Sequence, residues 1–210
     1  MTSSTQSNST TSKSKSVVTK MVQSDSGSSR SELFKIPCYT YHIPAWKDIK
    51  DQFLNDMNWE DPECLLGYYW SDFYKYYTKQ KKPPYHMSLM ELLKPAIDDF
   101  ATLQGEHLKI PGSWCQNYAS NQSHPVHTHG VVGFSAVFYA QLDPCQQPTS
   151  FISPFPDPWS TVHQQVQPNC KEGDVIFFPS QLMHMSLPNK IKSDRIIFSF
   201  NVFPWHAQPK

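Results

Sequence analysis

Apolar and polar residues alternate with period two over several stretches of the second half of this chain, the pattern of strands that bury one face. The clearest are Trp114-Cys115-Gln116-Asn117-Tyr118-Ala119, Gly130 to Leu142, Asp174 to Pro179 and Arg195 to Phe203, separated by proline-rich turns. An earlier alternating stretch, Leu33 to Tyr41, predicts the start of the folded part. Helical spacing appears in two places. Ile49, Phe53, Leu54 and Met57 predict a short helix before Asp61-Pro62, and Leu89, Leu92, Leu93, Ala96, Ile97, Phe100 and Leu103 predict a longer one. The longer helix opens on a capping box at Ser88-Leu89-Met90-Glu91, is kinked or delayed by Pro95, and ends near Gly105.

The last strand carries an unusual face. Arg195, Ile197, Ser199 and Asn201 fall on one side and Ile196, Phe198 and Phe200 on the other. An inward face with a guanidinium needs an anion, either a carboxylate side chain or a bound anionic ligand.

Residues 1–31 are mostly Ser, Thr, Gln, Asn and Lys, too poor in large apolar side chains to offset the entropy of ordering, and predict a disordered tail. The rest, residues 32–210, is expected to be a single domain. Eighteen prolines against seven glycines, with 14% aromatic residues, favour a mainly β core of short strands and turns. Eighteen basic residues balance eighteen acidic ones with no basic stripe, which argues against a nucleic-acid partner and an anionic membrane surface. Five cysteines, none in a C-x-x-C pair, read as ordinary thiols of a reducing compartment. With no apolar signal core and no membrane-length run, a cytoplasmic location is expected. No internal repeat is present.

The candidate chemistry lies in Ser123-His124-Pro125-Val126-His127-Thr128-His129-Gly130. His127 and His129 are two residues apart, so on an extended segment both imidazoles leave the same side and reach one ion. His184 follows the apolar strand Asp174 to Pro179 and a short turn, and returns as a third ligand. Three neutral imidazoles suit Fe, Zn, Cu or Ni. His42, His86, His107, His163 and His206 are read as surface or hydrogen-bonded histidines. Tyr68, Tyr69, Trp70, Phe73, Tyr74, Tyr76, Tyr77 and Tyr85 form an aromatic cluster whose first reading is core packing, with a substrate mouth as the alternative.

Taken in order, Trp114 to Tyr118, His127-Thr128-His129-Gly130, Phe134 to Tyr139, Gly173 to His184 and Arg195 to Asn201 resemble the 2-oxoglutarate- and Fe(II)-dependent oxygenases. The resemblance covers roughly residues 110–203. It implies a double-stranded β-helix, or jelly roll, with flanking helices in the N-terminal half and its core over about 110–205. It also implies Fe(II) held by His127, His129 and His184, and 2-oxoglutarate gripped by Arg195, with weaker contacts from Asn117, Tyr118, Tyr139 and Ser199. The implied reaction couples decarboxylation of 2-oxoglutarate to succinate and CO2 with oxidation, by molecular oxygen, of a small molecule or peptide side chain. His129 departs from the family's carboxylate, leaving a water, Asp143 or His124 as alternative completions of the site. Two rival readings stand beside this one: a cupin-type or three-histidine metalloprotein acting without 2-oxoglutarate, and a non-enzymatic binding module. Substrate and oligomeric state are not readable from the residues.

Overall fold

The computed structural model describes residues 35–60 and 68–206, together with the backbone of two short antiparallel strands, β1 (Val22–Gln23) and β2 (Ser29–Arg30). The remainder of the expected tail lies outside the described residues. The chain divides into a unit ending at Ile36 and a second one, Pro37–Lys210, which carries everything below.

Two antiparallel sheets build the second unit. The larger runs β3 (Tyr39–His42), β11 (Asp174–Pro179), β8 (Phe134–Gln141), β13 (Arg195–Pro204), β6 (Ser113–Tyr118) and β4 (Trp70–Ser71), with β5 (Leu108–Lys109) paired to the far end of β13. The smaller runs β10 (His163–Val166), β9 (Ser150–Pro156), β12 (His184–Ser186) and β7 (His124–His127). Helices α1 (Trp46–Asn55) and α2 (His86–Gln104) precede most of the strands.

Each face of the large sheet has its own core. Phe138, Phe177, Ile196, Phe198 and Phe200 pack against Trp46, Leu89, Leu93, Ala96 and Phe100 of the helices. Phe100 stacks on Phe177 at 4.4 Å, and the Trp46 indole N–H donates to the Ala140 carbonyl at 2.8 Å. On the opposite face Tyr118, Val137, Tyr139, Ile176, Phe178 and Ile197 pack with Phe151 of β9. The period-two split expected for β13 is thus the split between the two cores. The site lies on the second face.

Some boundaries differ from those expected. Helix α2 begins two residues before Ser88, with no side-chain cap, so Ser88 and Glu91 are interior helix positions rather than a capping box. Tertiary contacts draw the start back: the buried His86 ring bonds to Ser113 at 2.9 Å and the Tyr85 hydroxyl donates to Asp72 at 2.7 Å. Pro95 is accommodated within the helix, which closes on Gly105 at φ 67°. Strand β8 starts at Phe134, not Gly130, because Gly133 turns the chain at φ 85° so close to β13 that a Cβ there would lie 2.2 Å from the Val202 carbonyl oxygen. Among the described residues, no helix is long and apolar enough to cross a membrane.

Candidate metal centre

Strand pairing brings the histidines together. In the register of β7 against β12, His127 lies directly opposite His184. The chain then leaves β7 and is pinned by the His129 N–H donating to the Ser180 carbonyl at 2.9 Å, which carries the third ring in beside them. One ring nitrogen from each of His127, His129 and His184 lies within 4.8 Å of the other two. Trp114 and Phe178 wall the rings, at 5.5 Å from His129 and 4.8 Å from His184.

Hydrogen bonds set which nitrogen each ring offers. His127 Nδ1 faces the Pro125 carbonyl at 2.8 Å and His184 Nδ1 faces the Leu182 carbonyl at 2.8 Å. A carbonyl only accepts, so in each ring Nδ1 carries the proton and Nε2 presents a lone pair. His129 Nδ1 faces the side-chain oxygen of Asn201 at 3.0 Å, and its Nε2 sits 3.1 Å from His127 Nε2. Two lone pairs at that separation repel unless a cation lies against both, so the donor set fits a divalent transition metal.

Burial keeps the rings neutral. It lowers the pKa of His127, and burial together with neighbouring imidazoles lowers His129 to about 4 and His184 to about 3. Neutral imidazole is the form that binds metal, and no proton need be expelled from it near neutral pH. His124 stacks on His127 at 3.9 Å but is otherwise engaged. The Ser199 hydroxyl donates to Gln116 Oε1 at 3.0 Å, so the Gln116 amide N–H faces His124 Nδ1 at 3.1 Å, and His124 Nε2–H donates to the Tyr69 hydroxyl at 3.1 Å. With both nitrogens committed, His124 does not complete the triad. Neither does Asp143, whose carboxylate accepts from the Cys145 N–H at 2.8 Å in its own loop.

A cavity of about 340 Å³ opens onto the imidazoles and is lined by Tyr69, Phe73, Tyr74, Tyr77 and Trp114 as well as His124, His127 and His129. Four members of the aromatic cluster line this cavity, while Trp70, Tyr76 and Tyr85 line a separate cavity of about 270 Å³.

A narrower recess leads from the triad along Gln116, Tyr118, Thr149, Ile197 and Ser199. Tyr118 and Ser199 line this recess, and Tyr139 is one step behind, its hydroxyl donating to Thr149 at 3.0 Å. Arg195 is 2% exposed, lies over the Tyr118 ring at 4.6 Å and donates to the carbonyls of Gln147 and Leu187, both at 2.8 Å. Burial lowers its pKa, and no carboxylate among the described residues pairs with it. Among the described residues, the buried Ser150 Oγ has no hydrogen-bond partner. Asn117 is not brought to the site. Its neighbours Gln116 and Tyr118 take the inward positions of β6, and its own amide donates to Asp194 at 2.9 Å.

Of the histidines read as structural, His42 bonds to Asp174 at 2.7 Å, His86 to Ser113 at 2.9 Å and His163 to the Ser153 carbonyl at 2.6 Å. Gln116 and Asn201 escaped the sequence reading as site residues. The signal for Asn201 was its place on the inward face of β13; Gln116 offered only its alternation with Asn117.

Comparison with known proteins bears on this geometry. Residues 112–201 match a family model described as a 2OG-Fe(II) oxygenase. No curated protein matches the chain. Among solved structures, AviO1 from Streptomyces viridochromogenes Tue57 is similar with a TM-score of 0.59 at 14% identity, over 83% of this chain and 92% of that one. The viral collagen prolyl hydroxylase vCPH from Paramecium Bursaria Chlorella virus-1, in its 2OG complex, gives 0.53 at 14% identity over 79% and 94%. HygX from Streptomyces hygroscopicus, with nickel, 2-oxoglutarate and hygromycin B bound, gives 0.53 at 11% identity over 81% and 84%. At these identities the likeness is one of fold.

Proposed function

We propose that this chain, whose residues 112–201 match the 2OG-Fe(II) oxygenase family model, is a 2-oxoglutarate- and Fe(II)-dependent oxygenase that hydroxylates an uncharged group of a small molecule or peptide side chain, on a double-stranded β-helix scaffold. The observation that carries the reading is the convergence of three imidazole nitrogens within 4.8 Å at the inner end of an aromatic-lined cavity.

Iron fits the donor set through Nε2 of His127, His129 and His184. With 2-oxoglutarate, such an iron would supply the oxidising chemistry, with molecular oxygen as the oxidant and succinate and CO2 as the products of the diacid. The chain's own residues do the rest. Arg195 is a buried cation that, among the described residues, meets carbonyl oxygens and the Tyr118 ring but no carboxylate, and an anionic ligand would offset that burial. Tyr118, Ser186 and Ser199, which line the recess, carry hydroxyls that such a diacid could meet. That recess has only about 10 Å³ free, so a diacid is seated there only when the lining side chains part.

The mouth selects by charge. Its described lining contains no Asp, Glu, Lys or Arg, and its imidazoles are neutral, so a charged group entering would be stripped of water with no counter-ion. A neutral ring or side chain instead gains contact with the faces and edges of Tyr69, Phe73, Tyr77 and Trp114.

The test is anaerobic addition of Fe(II) and 2-oxoglutarate, followed by oxygen. A weak visible charge-transfer absorption that needs both additions, then succinate release, is expected. Metal uptake with no spectral response to 2-oxoglutarate would refute the proposal in favour of a metalloprotein that does not use the diacid.

A further inference from the structure

The three imidazoles are not held alike. His127 and His184 each give their Nδ1 proton to a backbone carbonyl, which cannot reverse its polarity. His129 gives its proton to the side-chain amide of Asn201, and an amide can face either way. As placed, Asn201 Oδ1 accepts from His129 Nδ1 and from the Ser135 hydroxyl, both at 3.0 Å, and Asn201 Nδ2 donates to the Tyr77 hydroxyl at 2.8 Å. Reversing the amide would put an N–H against His129 Nδ1. That nitrogen would have to accept, the proton would move to Nε2, and His129 would donate to His127 Nε2 across their 3.1 Å gap. The lone pairs of both rings would then be used up, and only His184 would still offer one.

We infer that Asn201 is the positioning residue that selects the metal-binding tautomer of His129, and that Tyr77, bonded to its amide nitrogen, anchors that side chain against the ring. The inference rests on the metal-centre reading above and adds the control of its third ligand. The geometry also ties that ligand to the mouth, because Tyr77 lines the cavity and packs on Phe73 at 5.3 Å and Trp114 at 4.7 Å. Asn201 is 6% exposed and grows from β13, while the ligand it orients belongs to the segment after β7, so the contact joins the two sheets at the site.

The experiment is Co(II) titration of the metal-free full chain, followed by its visible spectrum, in wild type, Asn201→Leu, Asn201→Asp and Tyr77→Phe, with thermal melts of each metal-free protein. Leucine keeps the volume but accepts nothing, and is expected to weaken Co(II) binding by about 10- to 100-fold, the usual cost of losing an outer-shell partner. Aspartate has no donor to reverse, so Asn201→Asp is expected to bind at least as tightly as wild type. Tyr77→Phe retains the ring and releases the amide, and is expected to weaken binding by a few-fold (~3) without lowering the melting temperature. Asn201→Leu or Tyr77→Phe binding like wild type, or Asn201→Asp failing as Asn201→Leu does, would overturn the inference. If Asn201→Leu does not fold, Tyr77→Phe and Asn201→Asp decide it. A wild-type chain that takes up no Co(II) overturns the metal centre itself, a failure distinct from that of Asn201 alone.

Discussion

Replacing Asp72 by Asn should change how stability depends on pH, and by a calculable amount. Asp72 is 3% exposed and ties the mouth segment to the large sheet: one carboxylate oxygen accepts the Cys115 N–H at 2.8 Å and the other accepts the Tyr85 hydroxyl at 2.7 Å. Burial outweighs these bonds and raises its pKa from 3.8 to about 6. Between those two values the unfolded chain has lost the proton and the folded chain keeps it, so stability falls as pH rises through the window. A rise of about two units at 1.36 kcal/mol per unit makes the fall about 3 kcal/mol. Asparagine keeps an oxygen for the Cys115 N–H, turns an N–H toward Tyr85 Oη and does not ionise. The assay is urea unfolding of wild type and Asp72→Asn by circular dichroism from about pH 4 to about pH 7.5, each with the same background of other titrating groups. Wild type is expected to lose about 3 kcal/mol relative to the variant across that range, with the variant the more stable at the upper end. Two curves running parallel would refute the argument from burial.

Other perturbations have defined outcomes. Phe100→Ala removes a fully buried ring stacked on Phe177 and should cost about 3–5 kcal/mol by urea unfolding, whereas a loss under about 1 kcal/mol would deny it a central place in the core. Gly133→Ala combines φ 85° with a Cβ 2.2 Å from the Val202 carbonyl oxygen, and should destabilise by more than about 2 kcal/mol; a melting temperature equal to wild type would mean that the β8 entry yields easily. Arg195→Lys keeps the charge but not the planar fork, so 2-oxoglutarate affinity by calorimetry should fall by about tenfold or more while metal content stays at the wild-type level. Unchanged affinity would remove Arg195 from the cosubstrate site.

What could be read from the sequence was what depends on local pattern. Strands β6, β8, β11 and β13 alternate or run apolar because they sit between two cores, and their limits were found to within a few residues. The small sheet left little trace. Strand β9 contains Pro154 and Pro156, β10 is a polar edge with all four residues exposed, and β12 is only three residues long. At the site, the two-residue spacing of His127 and His129 was visible, but their meeting with His184 is a matter of register between β7 and β12. At β6 Asn117 and Tyr118 were both named as cosubstrate contacts, although neighbours on a strand face opposite ways; Tyr118 shares the inner face with Gln116. Asn201 lay on the face that the reading of β13 called inward and polar. Its partners, His129 and Tyr77, are 72 and 124 residues away, and no pattern within β13 points to them.

The most direct measurement is metal-edge X-ray absorption of the chain loaded with Fe(II), alongside His184→Ala. One iron per chain with three imidazole nitrogens in its coordination shell is predicted, and the variant should lose the metal or retain it with two. An iron bound without imidazole scattering, or bound equally well with His184 removed, would contradict the account.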